Sequence, residues 1–304
     1  MTGLEGRSAL VTGATGFIGG HLLDRLQQSG SVIHALSRRP GEDSRAHWHE
    51  ADLTDFDAVR RVVASISPDV IFHLAGETRA ARDLDLVLPT FHSNLVSTVN
   101  LLTAAAEASS AARIVLAGSL EEPERGDLAA SSPYAASKLG ASTYGRLFGE
   151  TLNLPVTVLR VFMVYGPAQH DLRKLVPYVI LSLLRGERPR LTSGRREIDW
   201  VYVEDVVEAF IAAAAADSVG RASVDVGSGE AVPIRSLVDR LVEMIDPSLE
   251  PEFGAVPDRA QEQIRVADVE ATELAIGWRP KVTLEEGLLR TIRWYNDQLK
   301  LGKV

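Results

Sequence analysis

The segment Ala9-Leu10-Val11-Thr12-Gly13-Ala14-Thr15-Gly16-Phe17-Ile18-Gly19-Gly20-His21-Leu22-Leu23 sets the architecture of the chain. A short apolar run with strand character passes through three glycines, spaced G-x-x-G-x-x-G, into a stretch of helical periodicity. Gly13 permits a tight turn, Gly16 lets backbone approach a phosphate closely, and Gly19 lets the next helix pack against the strand. The amino terminus of that helix offers unpaired N–H groups and the positive end of a dipole. The pattern predicts a dinucleotide site in which Gly13, Thr15, Gly16, Phe17, Ile18 and Gly19 surround a pyrophosphate.

Outward from this turn, strand-like runs at 8–12, 32–36, 70–74, 113–117 and 156–161 alternate with amphipathic helical stretches at 18–29, 56–65, 94–108 and 134–152. Such alternation predicts an α/β fold, a Rossmann-type doubly wound parallel sheet covered by helices on both faces. Beyond Gly166 the rhythm loosens under Pro167, Pro177, Pro189, Pro233, Pro247, Pro251, Pro257 and Pro280. The expected organisation is a dinucleotide-binding domain over 1–165, to which segments around 199–227 return, and a smaller substrate-binding lobe made mainly of 166–304.

The chain has 304 residues, 45% of them hydrophobic and 24% charged, enough for a large core. Its net charge of -9 argues against nucleic acid as a partner. With no cysteine there is no disulfide, and no apolar stretch approaches the ~20 residues of a membrane span. The opening Met-Thr-Gly-Leu-Glu-Gly-Arg leads directly into the first strand, so a cytoplasmic protein without a membrane anchor is expected. No metal is expected.

The end of the second strand bears on cofactor choice. An acid at this place would hold the 2′-hydroxyl of NAD, but the chain has Leu36-Ser37-Arg38-Arg39. A serine and two guanidinium groups suit a 2′-phosphate, so NADP(H) is favoured, with NAD(H) possible. Asp52 and Leu53, ending the next strand-like piece, lie near the adenine in this reading; as an alternative, Asp52 caps the following helix.

Tyr134 and Lys138 in Tyr134-Ala-Ala-Ser-Lys138 are four residues apart on one face of a helix that Pro133 starts. A phenol with an ordinary pKa of ~10 is a poor proton shuttle near neutrality. A neighbouring ammonium and a positive nicotinamide would lower it, and Lys138 would also hold the ribose hydroxyls.

With these motifs the chain resembles the extended short-chain dehydrogenase/reductase family, in its nucleotide-sugar epimerase, dehydratase and reductase branch. Further carriers of the resemblance are His73-Leu-Ala-Gly76, Asn94-Leu-Val-Ser-Thr98-Val-Asn100-Leu-Leu, Arg160-Val-Phe-Met-Val-Tyr165-Gly-Pro167, Asp199-Trp-Val-Tyr-Val-Glu-Asp205-Val-Val and Gly277-Trp-Arg-Pro280. The resemblance implies that Leu74, Ala75 and Gly76 border the cofactor and that Phe162 to Val164 approach the nicotinamide amide. It also implies a third catalytic group, Ser119, which polarises the substrate oxygen while Tyr134 moves the proton. The gap between Ser119 and Tyr134 is about ten residues shorter than usual in this branch, and the Val-Tyr-Gly that follows the serine there is missing.

Glu121 matches the glutamate that serves as base in the branch's 4,6-dehydratases, but Leu120 stands where those enzymes usually carry an acid. By the same resemblance Arg195-Arg196 and Arg259 fall in regions that bind a nucleotide diphosphate, and Lys174 in a base pocket. The helical stretches 94–108 and 134–152 resemble the pair that forms a homodimer interface. The expected activity is an NADP(H)-dependent reduction of a nucleotide-activated 4-keto-6-deoxyhexose. The alternatives are an NAD-dependent nucleotide-sugar 4-epimerase, a 4,6-dehydratase using Glu121, and a non-catalytic dinucleotide sensor.

Overall fold

The computed structural model describes residues 3–39, 41, 43–108, 111–123, 129–216, 223–258 and 264–304. Strand β1 (Ser8–Thr12) leads into helix α1 (Phe17–Gln28), then β2 (Val32–Ser37), β3 (His47–Glu50), α2 (Phe56–Ile66) and β4 (Val70–His73). A short helix α3 (Val87–Thr90) continues through a π-helical turn (Phe91–Val96) into α4 (Ser97–Glu107), before β5 (Arg113–Ser119), α5 (Pro133–Thr151) and β6 (Val156–Val161). There follow β7 (Met163–Tyr165), α6 (Leu175–Leu184), β8 (Arg190–Leu191), β9 (Glu197–Tyr202), α7 (Val203–Ala215) and β10 (Ser223–Val226). The chain ends through β11 (Ala231–Pro233), α8 (Ile234–Ile245), β12 (Glu252–Phe253), α9 (Val269–Ile276) and α10 (Leu284–Lys300).

Two compact units emerge. The first comprises Met1–Val161, Val207–Val226 and Glu270–Arg279; the second comprises Phe162–Val206, Gly227–Val269 and Pro280–Val304.

The first unit is built on a seven-stranded sheet in the order β10-β6-β5-β4-β1-β2-β3, with every neighbouring pair parallel. Strands buried on both faces need continuous apolar runs, and Val70-Ile-Phe-His73 is buried along its whole length. Leu10, Ile71, Ile114 and Val156 from four strands join Leu101, Leu102 and Val63 from the helices in one core cluster. Each such side chain contributes about 1.5–3 kcal/mol of transfer free energy. The chain leaves β1 toward β2 on one side and returns through β4 on the other. That reversal opens a crevice at the carboxyl ends of the strands, where ligands bind in sheets of this class.

Three local differences from the sequence reading matter. Strand β5 runs on to Ser119, because Gly118 and Ser119 still pair with Arg160 and Val161 of β6. Asp55 rather than Asp52 caps α2, accepting the Ala58 amide at 3.1 Å. The helix expected over 94–108 opens within a π turn, where the Asn94 side chain bonds to Glu77 and Ser137 and the Ser97 and Thr98 hydroxyls donate to the Ser93 and Asn94 carbonyl oxygens.

The second unit holds the small sheet β11-β9-β7 and the parallel pair β12-β8. Asp199 organises it, accepting the amides of Ser228, Gly229 and Ala267 and the Ser228 hydroxyl. Asp205 takes the amides of Lys281 and Val282. Among the described residues no helix is long and apolar enough to cross a membrane.

Candidate active site

The glycine turn has the shape its sequence demands. Gly13 has φ +73°, and a Cβ there would lie 2.6 Å from the Ala75 nitrogen and 2.7 Å from the Leu74 carbonyl carbon. A Cβ on Gly19 would run into the Gly13 carbonyl oxygen. Close packing against Leu74 and Ala75 therefore fixes Gly13 as glycine, and the backbone of Gly13 and Ala14 fixes Gly19. Thr12 supports the contact from below, since its Oγ1 lies 2.7 Å from His73 Nδ1 and accepts the Ala75 amide at 3.3 Å. Thr15 and Gly16 are exposed, and α1 has neither a side-chain cap nor an acid in its first turn. Its terminal amides are thus open to an anion, and the residues present fit a dinucleotide pyrophosphate.

At the far end of β2, the Ser37 hydroxyl donates to the Arg39 carbonyl oxygen and accepts the Arg39 amide. Arg38 and Arg39 are exposed beyond it. Asp52 accepts the Thr54 amide and hydroxyl, each at 2.8 Å. These bonds hold its carboxyl below the usual carboxylate range, and the nearby Arg38 charge adds to the effect. A permanent anion therefore accompanies the cation that was expected to meet a 2′-phosphate.

Ser119, Tyr134 and Lys138 converge where β5 ends and α5 begins. Ser132 caps α5 by accepting the Ala135 amide at 3.1 Å, and Pro133 occupies the first helical position. Tyr134 and Lys138 then face β5 on successive turns. The Tyr134 and Ser119 side chains are hydrogen-bonded, and Ser119 Oγ also accepts the Glu121 amide at 3.2 Å. The turn bond to Glu121 and the bond to Tyr134 thus coexist at Ser119.

The electrostatics differ from expectation in one respect. Of the protein's own groups, none lowers the phenol enough: burial pushes Tyr134 up to about 12, the Glu121 and Glu122 charges push the same way, and only the Ser119 bond opposes them. Lys138 is bonded to the strand instead. Its Nζ donates to the Ala117 carbonyl oxygen at 2.8 Å, and burial lowers it to about 8 against the pull of Glu122. Glu121, exposed to intermediate degree, keeps its charge close enough to be felt by the phenol.

Two members of the site were not singled out as site residues in the sequence. Glu122 is only 4% exposed, and its Oε1 accepts the Ser119 amide at 2.7 Å. Asn94, on the π turn, accepts the Glu77 amide at 2.7 Å and donates to the Glu77 carbonyl oxygen and to Ser137 Oγ. Gly76 closes this corner, for a Cβ there would lie 2.5 Å from Asn94 Oδ1 and 3.7 Å from Lys138 Nζ. A sequence signal existed for Asn94: Asn94, Ser97 and Thr98 put polar groups on a helix face that is entirely buried.

Phe162, Lys174 and Arg196 belong to the second unit. Phe162 is buried with the Arg265 guanidinium 5.8 Å from its ring centre, and Val164 is half-buried in β7. Lys174 precedes α6, and Arg196 is half-buried beside the exposed Arg195. The 193–196 loop is tied to Asp258, which accepts the Ser193 amide at 2.9 Å. Arg259 lies outside the described residues.

The model of the family described as NAD dependent epimerase/dehydratase matches residues 9–227. The dTDP-glucose 4,6-dehydratase 1 of Escherichia coli K12 is 29% identical over 96% of this chain and 93% of its own. A UDP-glucose 4-epimerase from Mycolicibacterium smegmatis is 30% identical over 95% of this chain and 98% of its own. Among solved structures, a UDP-glucose 4-epimerase from Thermotoga maritima with UDP-glucose superposes with a TM-score of 0.85 at 25% identity, covering 96% of this chain and 99% of that one.

Proposed function

The chain belongs to the NAD dependent epimerase/dehydratase family, an enzyme family of the extended short-chain dehydrogenases/reductases, and we propose that it epimerises a nucleotide-diphosphate hexose at the 4-position. The observation that carries this reading is the Ser119–Tyr134 hydrogen bond set beside Lys138 at the strand ends. Such an arrangement suits a reaction that interconverts a carbinol and a ketone. NAD(H), when bound, supplies the acceptor and donor of hydride. Tyr134 takes the hydroxyl proton during oxidation and returns it during reduction, and Ser119 donates a hydrogen bond to the same oxygen. Lys138 holds the ribose hydroxyls. Arg196, with Arg195, and Lys174 are assigned to the nucleotide diphosphate and base.

Dehydration is disfavoured by Leu120, an apolar side chain only 9% exposed, which has no proton to give a leaving hydroxyl. A net reductase using NADP(H) is the second reading, favoured by the exposed Arg38 and Arg39 that follow Ser37. Incubation with UDP-glucose, UDP-galactose and the dTDP equivalents, followed by proton NMR, separates the readings. Interconversion without net change in cofactor supports epimerisation. Stoichiometric NADPH consumption on a 4-keto sugar supports the reductase, and loss of water with Glu121-dependent exchange at C5 supports dehydration.

The same family reading extends to assembly. Leu84, Val87, Leu88 and Phe91 are exposed around a groove that Leu95 also lines, and Tyr144 and Leu147 on α5 are exposed as well. So much apolar surface on neighbouring helices suits a second copy of the chain, giving a homodimer.

A further inference from the structure

Glu122 is a buried carboxylate with no part in the chemistry proposed above. The turn after β5 carries it inward, and Gly118 leaves room for it: a Cβ on Gly118 would lie 2.8 Å from Glu122 Oε1. The carboxylate accepts the Ser119 amide at 2.7 Å and is hydrogen-bonded to the Ser142 side chain on α5. The charges of Lys138 on α5 and Arg160 on β6 are felt by it, and Lys138 Nζ is bonded to the Ala117 carbonyl oxygen, two residues before the Ser119 amide that Glu122 holds. Arg160 is shared, since its Nε donates to Asp225 of β10 at 2.7 Å. Lys138 is therefore the cation that answers Glu122.

We propose that Glu122 is a positioning residue, which fixes the Ser119 backbone through its amide and, by its charge opposite Lys138, sets the alkaline limit of dinucleotide binding. The inference rests on the dinucleotide reading above. The charged and titratable groups felt at the Tyr134–Lys138 pair are Glu121 and Glu122 from the turn and His73 from β4, and the neutral Asn94 amide lies on the π turn near Lys138. His73 is held neutral by burial, with Thr12 and Thr98 on its two nitrogens, so it adds no charge near pH 8. Glu122 alone of these acts on Lys138 as an opposing charge, and it works against the burial that drives the ammonium toward neutrality. An unprotonated Lys138 gives up the cation that holds the ribose.

The test is NADH affinity from pH 6.5 to 10, read by fluorescence titration in the wild type, Glu122→Gln and Glu122→Asp. Glu122→Gln keeps the bond to the Ser119 amide and removes the charge. It is expected to bind NADH as the wild type does at pH 6.5 and to lose affinity with a midpoint about one pH unit lower, a shift of the size one facing charge produces. Glu122→Asp keeps the charge on a shorter arm, so affinity falls at every pH while the midpoint stays within a few tenths of the wild type. That variant carries the test by itself should Glu122→Gln fail to fold. Equal midpoints in wild type and Glu122→Gln, or a midpoint displaced by a full unit in Glu122→Asp, would overturn the proposal. Absence of NADH and NADPH binding by the wild type at any pH would instead remove the dinucleotide reading and the proposal with it.

Discussion

Lys138 donates its ammonium to the Ala117 carbonyl oxygen at 2.8 Å, tying α5 to β5 two residues before Ser119. The bond fixes where Tyr134 meets Ser119, because both side chains hang from the elements it joins. It also places a cation where water is scarce, which is why Lys138 falls from 10.5 to about 8.

The lowered Lys138 gives stability a definite pH dependence. Between about 8 and 10.5 the unfolded chain binds a proton that the folded protein does not, so stability rises with pH across this window. The gain is up to about 3 kcal/mol. Lys138→Met removes it. Urea midpoints at pH 7.5 and 9.5 are expected to converge between wild type and Lys138→Met as pH rises, and a constant difference would refute the assignment. The raised phenol of Tyr134 acts in the opposite direction, but only above pH 10.

Tyr134→Phe removes the proton carrier and leaves the glycine turn untouched. Turnover is expected to fall about 10²–10⁴-fold, the usual worth of a placed acid–base, with NADH affinity within about threefold of wild type. Wild-type turnover is expected to rise with pH from 6 to 9, because the surrounding burial and the Glu121 and Glu122 charges oppose loss of the proton. A flat profile would move proton transfer to another group.

His73 predicts acid lability. Burial holds it neutral and lowers it from 6.5 to about 3, between Thr12 and Thr98. As pH falls below 6.5 the unfolded chain takes up a proton that the folded chain refuses, so up to about 5 kcal/mol of stability is lost by pH 3. His73→Gln is expected to flatten this slope, even if it lowers stability at pH 7 by losing a hydroxyl contact. The check is the slope of unfolding free energy against pH from 7 to 4 in both proteins.

What the sequence disclosed and what it hid divide along physical lines. The glycine turn was legible because Gly13 and Gly19 answer steric demands that no other residue meets, as Gly13 does against Ala75. With the glycine turn giving the pair its context, that Tyr134 and Lys138 share one face of α5 was legible from helical spacing. Glu122 was not, since a carboxylate after a strand looks solvated until the fold buries it beneath Ser119. The raised phenol was equally hidden, because residue spacing carries no information on burial, which with the Glu121 and Glu122 charges drives it up. Of the two roles open to Asp52, the helix cap belongs instead to Asp55.

The apolar face of α3 and α5 tests the homodimer. Leu88 is 65% exposed and Phe91 is 44% exposed, so a charge at either position costs the isolated chain little. Leu88→Glu with Phe91→Glu is expected to give a monomer by light scattering with an unchanged far-ultraviolet dichroism spectrum. A wild type that is already monomeric at micromolar concentration would end this reading.

Cofactor choice turns on Arg38 and Asp52. The Arg38 guanidinium is available to a 2′-phosphate, but the Asp52 carboxylate is held ionised by the Thr54 amide and hydroxyl and repels the same phosphate. The two charges nearly cancel at a solvent-exposed edge, where each is worth about 1 kcal/mol or less. The local field therefore gives little reward for the extra phosphate, and NADH is expected to bind at least as tightly as NADPH. Asp52→Asn removes the repulsion and is expected to improve NADPH affinity about fivefold while leaving NADH nearly unchanged. Arg38→Ala is expected to weaken NADPH by a similar factor, again sparing NADH. Titration of both cofactors against the three proteins decides the matter: wild-type preference for NADPH by tenfold or more would show that Arg38 outweighs Asp52 and restore the reductase reading.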